Sequence, residues 1–297
     1  NYNDKIYLTF IAGDLYSDIS DISDSSIYNA NNRLPVLARR LYNHRIDFNI
    51  LKNLRLGFYE QVITHQKNSF SYMNPFQLYW SEQHQNGDLD NLQMGFDFDY
   101  IFSKYRIYGG LLIDEWAPYD TFNKESRNWF AKQIGISRIF NFKIASKNSH
   151  EKKTQKNLKG ILKFEYSSAE PQTYIHKFAI NNPTHHNYPI GLWSGGDSID
   201  KRISFILFIN DYYDINQITI DIGYHNTKIG EANYDEDVSL LSSDVIKSRD
   251  LFYLQIKKTL FYHIDYYLKV GYYRTENLYL EDNFLDISTS LLYNIQN

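Results

Sequence analysis

Apolar and polar residues alternate with a period of two from one end of this 297-residue chain to the other. That period places successive side chains on opposite faces of a strand, and an amphipathic helix does not carry it. In 217–225, Ile218, Ile220, Ile222 and Tyr224 share one face, while Thr219, Asp221, Gly223 and His225 share the other. In 263–273, Ile264, Tyr266, Leu268, Val270 and Tyr272 oppose Asp265, Tyr267, Lys269, Gly271 and Tyr273. Met94, Phe96, Phe98 and Tyr100 oppose Gly95, Asp97 and Asp99, and Leu285, Ile287, Leu291 and Tyr293 oppose Asp286, Ser288 and Ser290. Each strand therefore has one apolar face and one wet face.

The pattern predicts twelve antiparallel strands over 4–14, 40–50, 53–66, 91–100, 105–116, 131–142, 157–168, 202–210, 217–226, 249–260, 263–274 and 284–295. Strands of soluble domains average about 5 or 6 residues, whereas crossing a bilayer at a tilt takes about 9 to 11, and these are of the longer kind. Connections alternate between short (51–52, 101–104, 211–216, 261–262) and long (15–39, 67–90, 117–130, 169–201, 227–248, 275–283). Short turns at one end and long loops at the other define a transmembrane barrel, and a soluble sandwich has no reason to keep that parity. Segment 143–156 is the exception, being long and lysine-rich (Lys143, Lys147, Lys152, Lys153, Lys156) on the side of the short turns. A solvated loop is its expected state, with anionic head groups as the alternative contact. Within the loops, 74–85 reads as a short helix with Asn74 as N-cap and Pro75 at its first position. The expectation is an all-β, antiparallel transmembrane β-barrel in a single domain spanning 1–297.

Composition agrees. The chain holds 27 Tyr and 19 Phe, which favour strands, but no run of about 18 apolar residues that would cross a bilayer as a helix. A mean hydropathy of -0.51 does not oppose a barrel, whose alternating strands give no hydropathy peak. A net charge of -4 supplies no basic field, so nucleic acid is not an expected partner. The absence of Cys excludes disulfides and thiolate metal sites and suits a bacterial envelope protein.

Motif searches return no phosphate loop, no nucleophile elbow and no His-Glu-x-x-His zinc motif, so no enzyme is expected. His176, His185, His186 and Asp197 in the longest loop have the residue types of a metal site, with solvated imidazoles as the plainer reading; no cofactor is expected. Acidic runs at Asp18, Asp21, Asp24 and at Glu231, Asp235, Glu236, Asp237 read as solvated, with a Ca²⁺ bridge as the alternative. More is expected of the wet faces, where Arg45, Asp47, Asn49, Arg55, Tyr59, Arg106, Tyr108 and Asp114 all point inward. Paired charges would fill the lumen, and the forked guanidinium of Arg with the flat ring of Tyr also suits an acidic polysaccharide. Trp80, Trp116 and Trp193 in the long loops are expected stacking platforms for sugar rings.

Four stretches in order carry a family resemblance. Ala38-Arg-Arg-Leu-Tyr-Asn-His-Arg-Ile-Asp-Phe48 with Leu54-Arg-Leu-Gly-Phe-Tyr-Glu60, then Asn74-Pro75-Phe76 with Asp88-Leu-Asp-Asn91, Tyr108-Gly-Gly-Leu-Leu-Ile-Asp-Glu115, and Asn187-Tyr-Pro-Ile-Gly191 with Gly195-Gly-Asp197, resemble Wzi-type capsule assembly proteins. The resemblance covers 38–200, and the remaining strands match in pattern only. It implies a non-enzymatic outer-membrane barrel of a Gram-negative bacterium that binds capsular or exopolysaccharide and assists capsule assembly or anchoring. Members are larger, so the resemblance implies the C-terminal two thirds of such a protein, within a larger barrel. Its last residues, Ile295-Gln-Asn297, lack the terminal aromatic common in such barrels. The expected partners are polysaccharide and outer-membrane lipid. A porin-like channel for oligosaccharides, an outer-membrane hydrolase and a soluble all-β lectin stay open as alternatives.

Overall fold

The computed structural model describes residues 5–16, 37–65, 70–85, 87, 89–121, 127–145, 155–186, 188–209, 218–232, 240–241, 245–261, 264–277 and 280–293. Its strands are β1 (Ile6–Leu15), β2 (Arg39–Leu51), β3 (Leu54–Thr64), β4 (Asn91–Phe102), β5 (Tyr105–Glu115), β6 (Trp129–Ala145) and β7 (Gln155–Ala169). After a two-residue pair, β8 (Thr184–His185) and β9 (Tyr188–Pro189), come β10 (Ser198–Ile209), β11 (Ile218–Ile229), β12 (Lys247–Phe261), β13 (Ile264–Asn277) and β14 (Leu280–Tyr293). All but β8 and β9 form one twelve-stranded antiparallel sheet in sequence order. Among the described residues it does not close on itself, since β1 and β14 each pair on one side only.

The registers put every residue of the expected wet faces on one side. Arg45 lies opposite Tyr59, Tyr59 opposite Gly95, and Gly95 opposite Leu112, so these share a face with Asp47, Arg55, Asp97, Arg106 and Tyr108. The far strands continue it through Glu165, Arg202, His225 and Tyr253. The other face carries Phe58, Phe96, Ile134, Phe164, Ile203, Ile222, Phe252 and Ile287, each between 37 and 60% exposed. An apolar band this long and this uncovered is what the outer face of a membrane-spanning sheet would carry. Near the short turns, Tyr100, Phe102 and Tyr105 stack in sequence on that face, while the Arg138 guanidinium lies 5.1 Å from the Tyr105 ring and 4.8 Å from Phe140. Aromatics with a snorkelling Arg suit a membrane–water interface.

Both faces are covered at the long-loop end. On the outer side, a 3-10 turn (Phe70–Met73) and helix α1 (Tyr79–Gln85) bury Tyr72 and Tyr79 against Tyr42, Val62 and Leu92. His44 stacks on Tyr79 at 4.2 Å, and the Glu60 carboxylate accepts the first N–H of α1 at 2.9 Å. Helix α1 starts later than expected because Asn74 closes an Asx turn, its side chain accepting Phe76 N–H at 3.1 Å, so Pro75 sits in a turn. On the inner side, the segment 170–197 between β7 and β10 folds onto the polar face. Asn91 Nδ2 donates to Asn181 O at 3.1 Å, and Arg39 donates to the carbonyls of Tyr16 and Asn182.

Other boundaries also moved. Strands β6 and β7 pair through Ala145 and Gln155, so both ends of the expected 143–156 loop, 143–145 and 155–156, are ladder; 146–154, with Lys147, Lys152 and Lys153, lie outside the described residues. Strand β10 begins at Ser198 and β14 at Leu280, each four residues ahead of expectation, because backbone pairing with a neighbour continues through sequence that has no apolar alternation. The short turn after β4 uses Ser103 at φ 52, the left-handed geometry that suits tight hairpins. The run 16–27, the turn 211–216 and the acidic residues Asp18, Asp21, Asp24 and 235–237 lie almost wholly outside the described residues.

Candidate functional site

The inner face is a lattice of paired charges. Arg45 on β2 holds two carboxylates, Asp47 at 2.7 Å and Asp97 of β4 at 2.5 Å. Arg55 stands 3.8 Å from Asp47, and Arg106 grips Asp99 at 2.7 Å. Further round, Lys163 meets Glu165 at 2.8 Å, Tyr108 donates to Glu165, and Arg202 donates to Tyr253 at 3.0 Å. Glycine makes this packing fit. Tyr59 lies across Gly95, Tyr108 across Gly135 and Tyr253 across Gly223, and at Gly223 a Cβ would fall 2.6 Å from the ring. The tyrosines therefore lie flat on the neighbouring strand instead of projecting into the lumen.

Above this lattice sits the turn containing Trp193. Gly195 takes φ 74, and a Cβ on Gly196 would meet Thr173 O at 2.4 Å, so the segment can fold tightly only with glycine there. Asp197 anchors its end, accepting Leu241 N–H at 2.7 Å on Oδ1. Tyr174 anchors its start: its N–H donates to Asp114 Oδ2 at 2.7 Å, and its hydroxyl accepts Leu192 N–H at 2.9 Å. Glu170 accepts Phe130 N–H at 3.0 Å, and burial raises its carboxyl above the usual range. Beneath the turn a cavity of about 530 Å³ runs along Arg55, Tyr59, Asp99, Arg106 and Tyr108, and a second of about 240 Å³ adjoins it across Trp193. Trp193 thus lies over the lumenal face and not on an outward-reaching loop. Its ring meets His225 edge-on at 5.5 Å.

Trp80 and Trp116 come together elsewhere. They share a rim cleft of about 330 Å³ with Arg127, Glu115, His176 and Lys177, on the outer side of the sheet at its long-loop end. Both indoles are about half exposed. Trp116 Nε1 donates to Thr121 at 3.0 Å, and Trp80 packs on His84 at 4.5 Å, which fixes each ring with one face free to be covered.

The nine expected site residues therefore divide. Arg45, Asp47, Arg55, Tyr59 and Arg106 belong to the inner lattice, Trp193 roofs it, and Trp80 and Trp116 form the rim cleft. Asp114 stands between, only 7% exposed, with Oδ1 taken by Gln93 Nε2 at 3.0 Å and Oδ2 by Tyr174 N–H. Sequence reasoning missed Arg202, Arg249, Arg127 and Lys177. The first two fall on the wet parity of their strands, and that was the available signal. Among the described residues no group of three or more His, Asp or Glu is placed to hold a metal ion, so His176, His185, His186 and Asp197 do not converge. His185 and His186 touch each other at 4.3 Å, and Asp197 is fully buried.

A long antiparallel meander with an apolar outer band, a charged inner face and loops folded over one end has the architecture of a β-barrel wall. Comparison with solved structures finds the same architecture in Wzi of Escherichia coli, described as an outer membrane protein involved in group 1 capsule assembly and a carbohydrate-binding β-barrel. The TM-score is 0.60 at 14% identity, over 98% of this chain and 56% of Wzi. The likeness is one of fold, and this chain spans just over half of that protein's length, less than the two thirds expected from the motifs. No family model and no curated protein matches the sequence.

Proposed function

We propose that this chain is part of a non-catalytic outer-membrane barrel that binds capsular or exopolysaccharide at the cell surface and helps to assemble or anchor it. The apolar band faces lipid, and the long loops face outward. The observation that carries the reading is the rim cleft, where two half-exposed indoles stand with Arg127, Lys177 and Glu115 at the long-loop end. Flat aromatic faces flanked by polar groups match a pyranose ring, which has apolar faces and a hydroxyl edge. The carbohydrate binding and capsule role described for Wzi support it by analogy of fold.

The test is polysaccharide binding by the double variant Trp80→Ala/Trp116→Ala, measured by calorimetry on detergent-solubilised protein. Losing both platforms should weaken binding at least tenfold while leaving the thermal transition in place, since both indoles are half exposed. Unchanged affinity would remove the cleft from the binding surface.

A porin-like channel is the second reading, favoured by the charged inner face. Segment 170–197 lies across that face, so planar-bilayer recordings should give small, infrequent openings. Steady conductance of general-porin size would favour the channel.

A further inference from the structure

The smaller lumenal cavity carries a more specific chemistry than the rim. It is lined by Gln133, Glu165, Ser167, Leu192, Trp193, Asp200, Arg202, His225 and Arg249, drawn from the sheet and the turn above it. Its acids are already engaged. Asp200 takes His225 Nε2 at 2.5 Å and Thr227 Oγ1 at 2.8 Å, and Glu165 takes Lys163 at 2.8 Å together with Tyr108.

Its arginines are not so engaged. The Arg249 guanidinium lies between two rings, 5.6 Å from Trp193 and 5.0 Å from Tyr273, and its Nε is buried without an acceptor. Among the described residues no carboxylate pairs with it. Arg202 is partly engaged: Nη2 reaches Tyr253 at 3.0 Å and the charges of Glu165 and Asp221 lie near enough to act on it, yet its Nε is also buried without an acceptor. Leaving a guanidinium N–H buried and unmet is costly, and the forked group is best matched by a bidentate carboxylate. The neighbouring Trp193 supplies an apolar face, and Gln133 with Ser167 supplies the hydrogen-bonding groups that sugar hydroxyls need.

We propose that this chamber is a subsite for a uronic-acid residue, with its carboxylate on Arg249 and Arg202 and its ring against Trp193. The proposal rests on the polysaccharide-binding reading and narrows it to an acidic polymer. A neutral hexose would offer these guanidinium groups only single, uncharged hydroxyl acceptors, without the charge or the two-oxygen fork of a carboxylate. A small carboxylate without a ring would leave Trp193 unused.

Titration of the intact chain in detergent with trigalacturonate, maltotriose and citrate separates these cases, with binding read by calorimetry and by quenching of Trp fluorescence. Trigalacturonate should bind, maltotriose should bind at least tenfold more weakly, and citrate should not quench Trp193, as judged against Trp193→Phe. Arg249→Gln should reduce trigalacturonate affinity at least tenfold and Arg249→Lys by less, because Lys keeps the charge but loses the fork. Arg202→Gln is the second variant, in case Arg249→Gln alters folding. Equal binding of maltotriose and trigalacturonate would overturn the acidic subsite and leave the carbohydrate reading standing. Trigalacturonate binding that is indifferent to both Arg variants would overturn the placement, and citrate competing as strongly as trigalacturonate would overturn the sugar. Failure of the wider reading appears separately, as no polysaccharide binding sensitive to Trp80 and Trp116.

Discussion

Arg45→Ala should lower the stability of the sheet by about 2 kcal/mol. Arg45 is the only cation within ion-pair distance of Asp97 among the described residues, and it holds Asp47 at the same time. Removing it leaves two carboxylates beside Gly57, in the space where the guanidinium now lies. Breaking a buried pair by deleting one partner costs about 3 to 5 kcal/mol; the loss here falls below that range because these side chains keep 14 to 29% of their exposure. The measurement is a urea titration of the folded barrel followed by tryptophan fluorescence. The control is the double variant Arg45→Ala/Asp97→Asn, which removes the stranded charge and should recover about half of the loss. If the single variant unfolds at the wild-type midpoint, the lattice is ornament and its charges serve something else.

That prediction joins two kinds of information. The face of Arg45 was legible in the sequence, because Arg45, Asp47 and Asn49 alternate with Ile46, Phe48 and Ile50. Its partner was not legible. Asp97 is 52 residues away and becomes a neighbour only once β2, β3 and β4 fix their registers, which the chain sets by turn length and facial pattern together. The same limit explains the loops. Trp193 reads as an outer-loop residue in any count of strands, since a connection has no periodicity to say whether it reaches out or folds in. What decides is polar satisfaction: Tyr174 and Asn181 find their hydrogen-bond partners on the sheet, and Asp197 finds Leu241 in the connection between β11 and β12. The rim cleft was half legible, because Trp80 and Trp116 could be named as loop aromatics while Arg127 and Lys177 could not be placed beside them. Long periodic strands are thus readable one at a time, whereas a site assembled from several loops is readable only after folding.

Asp114→Ala is the test of how the lumenal segment is held. Asp114 was expected among the sugar contacts, but its carboxylate is buried and both of its oxygens are taken, so we assign it the part of a latch. Its loss would leave Gln93 Nε2 and Tyr174 N–H without acceptors, at roughly 1 to 3 kcal/mol for each buried donor. Only one of those donors belongs to the sheet. Tyr174 is the foot of the segment carrying Leu192 and Trp193, and its hydroxyl also holds Leu192 N–H, so the cost falls on the segment's closure. The expected result is a barrel whose global midpoint falls only by the cost of the one sheet donor, Gln93, and a segment 170–197 that opens. Amide exchange at Tyr174 and Leu192 should accelerate at least tenfold, with new proteolytic cleavage between 175 and 195. Asp114→Asn retains one acceptor oxygen and loses the other, so it should lie between wild type and Ala. Exchange that stays slow in both variants would show that Arg39, Asn91 and Asp197 suffice to hold the segment down. A segment that opens should also weaken any ligand seated under Trp193, because the turn supplies that cavity's roof while the arginines stay on the sheet.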